Sequence, residues 1–318
     1  MMRTFAIALT ILTVASLRVD GQSHAWTPPR TPDGQPDLQG TWTNATITPL
    51  ERPAELAGKP FFTEAEAAEY EKTVAERNNM DRRDGSPDAD VARAYNDFWW
   101  DRGTKIVKTR RTSMIVDPPD GRIPPLTSEA QRKVAERAEY RRVHAADGPE
   151  TRPLAERCVL WPTAGPPMLP SAYNNNYQIV QAPGYVMILV EMIHDARIIP
   201  TDGRPHLPSN VRQWLGDSRG RWEGNTLVVE TTNFTDKTNF RGSGDTLRLT
   251  ERFTRTDPGT LMYEFTVEDE ASFVRPWKAE IPMVKAEGPL FEYACHEGNY
   301  GMENVLAGAR AEEKRAKP

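Results

Sequence analysis

Cysteine and histidine are scarce in this chain, at two and five residues, and one of each falls in the run Tyr293-Ala294-Cys295-His296-Glu297-Gly298-Asn299. A run of this kind offers thiol or imidazole chemistry. A nucleophilic thiol has to be free and paired with a base. Covalent haem attachment is excluded, because no second cysteine stands in Cys-x-x-Cys-His spacing. Cys158 is the only other cysteine, and an oxidising compartment favours joining it to Cys295. Closing so long a loop stabilises a fold by roughly 4–5 kcal/mol in the chain-entropy model. The alternative is two free buried thiols. A disulfide would make Cys295 an anchor and leave the chemistry to the histidine.

Alternation from Leu290 to Cys295 reads as a strand. Leu290, Glu292, Ala294 and His296 then share one face, and Phe291, Tyr293 and Cys295 the other. Glu292 and His296 would lie about 13 Å apart along that strand, so each needs partners from neighbouring strands. His194 follows Val190 and Met192 and precedes Ile198, which reads as an apolar face. Two roles suit it there: a satisfied interior histidine, or an acid/base inside a barrel. Glu191, Asp195 and Arg197 fall on the other face as a solvated ion-pair row, from which Arg197 could stabilise an anion. His206 follows a turn and His144 sits on a charged helix. The spacing of His194, His206 and His296 matches no ligand motif, so no metal is expected. No phosphate loop, Gly-x-Ser-x-Gly elbow or His-Glu-x-x-His occurs, and no cofactor is expected.

Asn174-Asn175-Asn176, set between Tyr173 and Tyr177, reads first as a turn before a strand. The functional alternative is a polar mouth in which Asn174, Asn176 and Tyr177 offer donors and acceptors to a hydroxylated ligand. Trp161 and the Trp99-Trp100 pair would supply stacking faces.

Elements must hold these groups in place. Residues 1–25 read as a secretory signal peptide: Arg3, an apolar stretch from Phe5 to Leu17, and small residues near Gly21 and Ala25. The expected location is periplasmic or extracellular. Residues 26–157 form a Pro-rich leader and a helical and extended wrapping segment, with helices opening at Thr63 and at Thr127. Residues 158–318 read as alternating strands: Tyr177–Gln181, Tyr185–Ile199 as one strand or a strand pair, Thr226–Thr232, Thr246–Thr254, Leu261–Glu268, Phe273–Ile281 and Leu290–Cys295. A helix from about Met302 to Arg315 ends the chain. Short strands joined by short turns describe an antiparallel meander, which closes into a barrel or folds as a sandwich. The expected class is therefore mainly β, a lipocalin-like barrel with a partly helical N-terminal segment and a C-terminal helix. A net charge of -5 and the lack of a dense Lys/Arg run argue against nucleic acid. No segment after the signal is long and apolar enough to span a bilayer.

Three motifs carry a resemblance: Pro36-Asp37-Leu38-Gln39-Gly40-Thr41-Trp42, Asp202-Gly203-Arg204-Pro205, and Gly220-Arg221-Trp222-Glu223-Gly224-Asn225-Thr226-Leu227-Val228-Val229. The chain resembles a family of uncharacterised exported bacterial proteins in which these recur, over most of the mature chain. That resemblance implies export but no activity. A second similarity is to lipocalin-like barrels, which often begin with a strand such as Gly40-Thr41-Trp42 and continue as a meander. The helical insertion after that strand departs from their pattern. The leading expectation is a small-molecule site inside or at the mouth of a barrel. The alternative is a cofactor-free lyase or isomerase with His194 or His296 as proton shuttle, Glu292 as partner carboxylate and Arg197 on the anion. A third is a structural cell-surface or assembly subunit. Oligomeric state is left open.

Overall fold

Alternating apolar and polar residues, punctuated by Gly, Asn and Asp turns, build most of the chain into strands. These are β1 (Gly40–Thr43), β2 (Ile115–Asp117), β3 (Asn176–Ala182), β4 (Tyr185–Val190), β5 (Ala196–Pro200), β6 (Asp217–Glu223), β7 (Thr226–Thr232), β8 (Arg248–Asp257), β9 (Thr260–Glu268) and β10 (Trp277–Lys285). The computed structural model describes residues 26–81, 85–92 and 100–316. The expected signal peptide and Trp99 lie outside the described residues. One sheet runs in the order β5-β4-β3-β1-β10-β9-β8-β7-β6, and β2 pairs separately with β10. All pairings between these strands are antiparallel. Apart from β2, this is sequence order laid round a ring in which the first strand joins the last. The molecule is the expected mainly β meander, curled into a nearly closed barrel.

The gap in the ring falls between β5 and β6, and strand direction explains why. The path holds nine strands and hence eight antiparallel pairings. Eight reversals leave β5 and β6 parallel. A parallel neighbour cannot be reached by a hairpin and needs a crossover of about a dozen residues or more. Residues 201–216 supply it. The seam closes by side-chain packing instead: a Cβ on Gly220 would lie 2.9 Å from Thr201 Cγ2 and 3.0 Å from Ile199 Cγ2.

The barrel is filled. Trp42, Tyr177, Phe253, Tyr263, Phe265 and Trp277 are all buried, and each such side chain contributes about 1.5–3 kcal/mol. A charged pair sits among them. Arg197 of β5 donates to both oxygens of Glu251 on β8, at 3.1 and 2.6 Å. Ser218 of β6 accepts from Arg197 at 3.2 Å, and the Tyr263 hydroxyl donates to Glu251 at 2.8 Å.

Around the barrel lie α1 (Glu64–Asn78), α2 (Pro87–Ala92), α3 (Ser128–Val143) and α4 (Tyr300–Ala316). Thr63 caps α1 in a capping box with Glu66, and Thr127 caps α3. α1 buries Ala67 beside Phe62 and Ile106 in a small cluster of its own. Among the described residues no helix is long and apolar enough to cross a membrane.

Three readings from the sequence need correction. Leu290 to Cys295 is not a strand, because β10 already closes the ring against β1. Tyr185 to Ile199 is the strand pair β4 and β5, but the alternation does not carry across it, because a helical turn intervenes at residues 192–194 with Ile193 and His194 at positive φ. That turn shifts the alternation by one: Arg197 faces the interior and Ile198 is 64% exposed. Glu191, expected on a solvated face, is buried.

Candidate functional site

A cleft of about 760 Å³ lies against the outer side of the barrel wall. Its floor carries Thr43 of β1 and Asn176 of β3, which sit opposite each other in the ladder. Their neighbours Trp42 and Tyr177 point the other way, into the barrel, as alternation requires. The roof is the segment 286–294 that leaves β10, and the side walls include Asp101, Tyr173 and Asn174.

Glu191 joins floor to roof. Its carboxylate accepts from Asn176 Nδ2 at 2.6 Å and from the Phe291 amide at 3.0 Å. His194 adds a second tie, with Nδ1 donating to the Tyr293 carbonyl at 3.0 Å, which fixes the tautomer with the proton on Nδ1. The third is covalent: Cys158 and Cys295 form a disulfide with Cα atoms 5.7 Å apart. Asn299 Nδ2 reaches the Glu156 carbonyl at 3.1 Å just beyond it.

The three asparagines divide their work. Asn175 is buried; its Oδ1 accepts from the Ser171 amide at 2.6 Å, and its Nδ2 donates to the carbonyls of Asp101 and Ser171. Asn174 takes the left-handed backbone its type tolerates, at φ 55°, and lines the cleft with Asn176.

The lining is rich in hydrogen-bond acceptors. Asp101, Glu191, Glu287 and Glu292 face one cation, Lys285, with Tyr173, Phe291 and Tyr293 as aromatic surface. The Asp101 carboxyl, although open at the rim, is crowded by protein, and this burial pushes its pKa up. Asn175 lowers it through a hydrogen bond, while the Glu191 carboxylate adds to the rise. Asp195, which follows His194, also has its carboxyl pKa raised by burial, and its Oδ2 is buried with no hydrogen-bond partner among the described residues.

No family model, no curated protein and no solved structure matches the chain.

Of the residues singled out by sequence, Asn174, Asn176 and Glu292 line the cleft. Tyr177 lies beneath it, its hydroxyl accepting from Asn44 Nδ2 at 3.3 Å. His194 is exposed and serves as a tie, and His296 is exposed. His194, Glu292 and His296 therefore do not converge on one cavity. Arg197 is held by Glu251 inside the barrel. Trp161 lines a different cavity, its Nε1 donating to Ser171 Oγ at 3.2 Å. His206 is paired through Nδ1 with the buried Asp217 at 2.8 Å, in the crossover before β6. Among the described residues no group of three His, Cys, Asp or Glu side chains could hold a metal ion.

Asp101, Glu191 and Lys285 were not recognised from sequence. Asp101 closes the aromatic run Tyr95–Asp101, a visible signal. Glu191 keeps the outward face that alternation gives it, but a segment about a hundred residues away covers it, its carboxylate accepting from the Phe291 amide.

Proposed function

We propose that the protein is an exported binding protein that takes a small polar molecule in the cleft between β1, β3 and the strap 286–294. The observation that carries this reading is the lining: four carboxylates and two amides against a single lysine, with aromatic side chains beside them. Such a surface suits a ligand rich in hydrogen-bond donors, a polyol or an amine. The barrel interior offers no rival, because aromatic side chains and the Arg197–Glu251 pair fill it. Export, to a periplasmic or extracellular location, is supported by the disulfide, which persists in oxidising compartments. It also agrees with the resemblance to exported bacterial proteins and to lipocalin-like barrels.

The test is calorimetric titration with glucosamine, N-acetylglucosamine and glucose, which differ at one group. Glucosamine is expected to bind best, and Glu292→Gln, at an exposed position, to weaken it about threefold, as salt does. Absence of binding by all three sugars would remove the polyol or amine assignment.

A second reading, acid/base catalysis in the same cleft, rests on Asp101. Its raised pKa and its neighbour Glu191 are what a general acid beside a second carboxylate requires. Turnover that vanishes in Asp101→Asn while binding persists would support it, and unchanged turnover would end it.

A further inference from the structure

A second cavity, of about 300 Å³, lies between α1 and the turn that follows Phe240. Arg77 from the last turn of α1, Arg102 and Arg241 all line it, and among the described residues no carboxylate does. Several other arginines are matched to acids, as Arg197 is to Glu251 and Arg219 to Asp217. None of these three forms an ion pair or a side-chain hydrogen bond with a described residue. Arg102 stacks over the Trp100 ring at 3.9 Å, and its Nε is buried with no acceptor. Thr163 Oγ1 on the same wall is likewise buried and unpaired. Three guanidinium groups gathered in a chain of net charge -5 run against the bulk charge. Each raises the cost of its neighbours unless an anion joins them.

The turn bearing Arg241 is set in place. Arg241 has φ 53° and Asn239 φ 23°. Asn239 Oδ1 accepts from the Gly242 amide at 3.0 Å, and Phe240 and Ser243 exchange both backbone hydrogen bonds. Strained backbone that is over-determined in this way clusters at ligand sites. Arg241, Thr163 and Leu169 are also walls of an adjoining cavity of about 230 Å³, lined by Trp161, Trp214 and Phe240.

We infer that the paired cavities form a binding site for a small organic anion. Its carboxylate or other oxyanion head is held by Arg77, Arg102 and Arg241. Its aromatic or aliphatic body enters the cavity lined by Trp161 and Trp214. Planar guanidinium forks suit such a head, and the unpaired Thr163 hydroxyl supplies a further donor. This site is separate from the cleft at β1 and β3 and does not depend on how that cleft is read.

The test is calorimetry on the disulfide-bonded chain with phenylacetate, the neutral phenylacetamide and inorganic phosphate. Phenylacetate is expected to saturate, and phenylacetamide and phosphate each to bind about tenfold more weakly, the first lacking the charge and the second the apolar body. Arg241→Asn is the first variant, because Asn tolerates the left-handed backbone, and Arg77→Gln, at an exposed helix position, is the second. Each is expected to weaken phenylacetate about tenfold with the thermal melt unchanged, while Glu292→Gln leaves it unaltered. Equal binding of phenylacetate and its amide, or affinity unmoved in both arginine variants, overturns the inference. Phosphate binding as tightly as phenylacetate removes the aromatic cavity from the site, and no saturable binding of any of the three probes overturns the whole.

Discussion

Replacing Arg197 by methionine tests whether the buried ion pair is structural. Arg197 and Glu251 have side-chain exposures of 3% and 0% and are joined bidentately. Burial alone would lower the pKa of Arg197, but Glu251 outweighs it and the net shift is upward, so the guanidinium is held charged. Methionine fills similar volume but leaves the Glu251 carboxylate with the Tyr263 hydroxyl as its side-chain donor, at 2.8 Å. Breaking a buried pair from one side costs about 3–5 kcal/mol, because one uncompensated charge stays in the core. In a protein of this size each kcal/mol lowers Tm by about 2–4 °C, so a fall of roughly 6–20 °C is expected. Arg197→Met with Glu251→Leu removes both charges, and exchanging a whole buried pair for apolar groups is often neutral. The double variant should therefore be more stable than the single. Urea denaturation of the wild type, both single variants and the double gives the coupling energy, with a constant m-value as the control. A single variant within about 1 kcal/mol of wild type, or a double that loses the sum of the singles, would refute the argument.

Alkali should unfold the protein through its core tyrosines. Burial raises the phenol pKa of Tyr177 and Tyr263 above the ordinary value of 10.0, so the unfolded chain loses these protons first. Their contribution is intact below about pH 10 and falls by about 1.4 kcal/mol per pH unit per tyrosine above it. Urea midpoints of Tyr177→Phe against pH should fall less steeply there; an unchanged slope counts against the assignment. Asp101 works in the acid range. Its raised pKa means the folded state keeps a proton that the unfolded state releases, so stability falls as pH rises from the ordinary 3.8 through the folded value. Asp101→Asn should stabilise at neutral pH and change little at about pH 3, checked by melts at both. At the seam, Gly220→Ala drives a Cβ to 2.9 Å from Thr201 and should cost about 1–3 kcal/mol. The same change at Gly224, in open space, meets no atoms and costs only its positive-φ strain, about 1 kcal/mol; equal losses at the two sites would show that the seam is not tight.

Alternation made most of the meander legible. β7, β8 and β9 fall within two or three residues of the expected strands, because their inner faces carry large apolar residues such as Leu227, Phe253 and Tyr263. β6 escaped, for a physical reason. Its inward positions are Ser218 and Gly220, small because Arg197 and Ile199 of β5 press on them, so no apolar period marks the strand. The apolar-looking run Leu290–Tyr293 reads as a strand but serves as the roof of the cleft, where Phe291 is 70% exposed. Cleft residues were half legible. Asn174, Asn176 and Glu292 could be picked by type, whereas the inward turn of Arg197 depends on a helical turn at residues 192–194 that no local pattern announces, and Glu191 is buried where the distant segment 286–294 crosses it.

The ties on the strap differ in strength, and the difference assigns their roles. The hydrogen bonds that Glu191 accepts and His194 donates each contribute about 1 kcal/mol net, more where the acceptor is a charged carboxylate. The disulfide closes a sequence separation of 137 residues, which in the chain-entropy model is worth roughly 5 kcal/mol. The covalent bond therefore determines that a strap exists at all. The weaker contacts determine its register, presenting Glu292 and Tyr293 to the cleft. This division fits the ring topology. Closure of β10 on β1 ends the barrel's last strand at Lys285, and residues 286–294 form no ladder, so they need some other restraint. Cys295 and His194 supply that restraint in different currencies, one covalent and one a single oriented proton. The Cys295 sulfur and the His194 imidazole, both candidates for chemistry by type, act here as fasteners for the wall of the cleft.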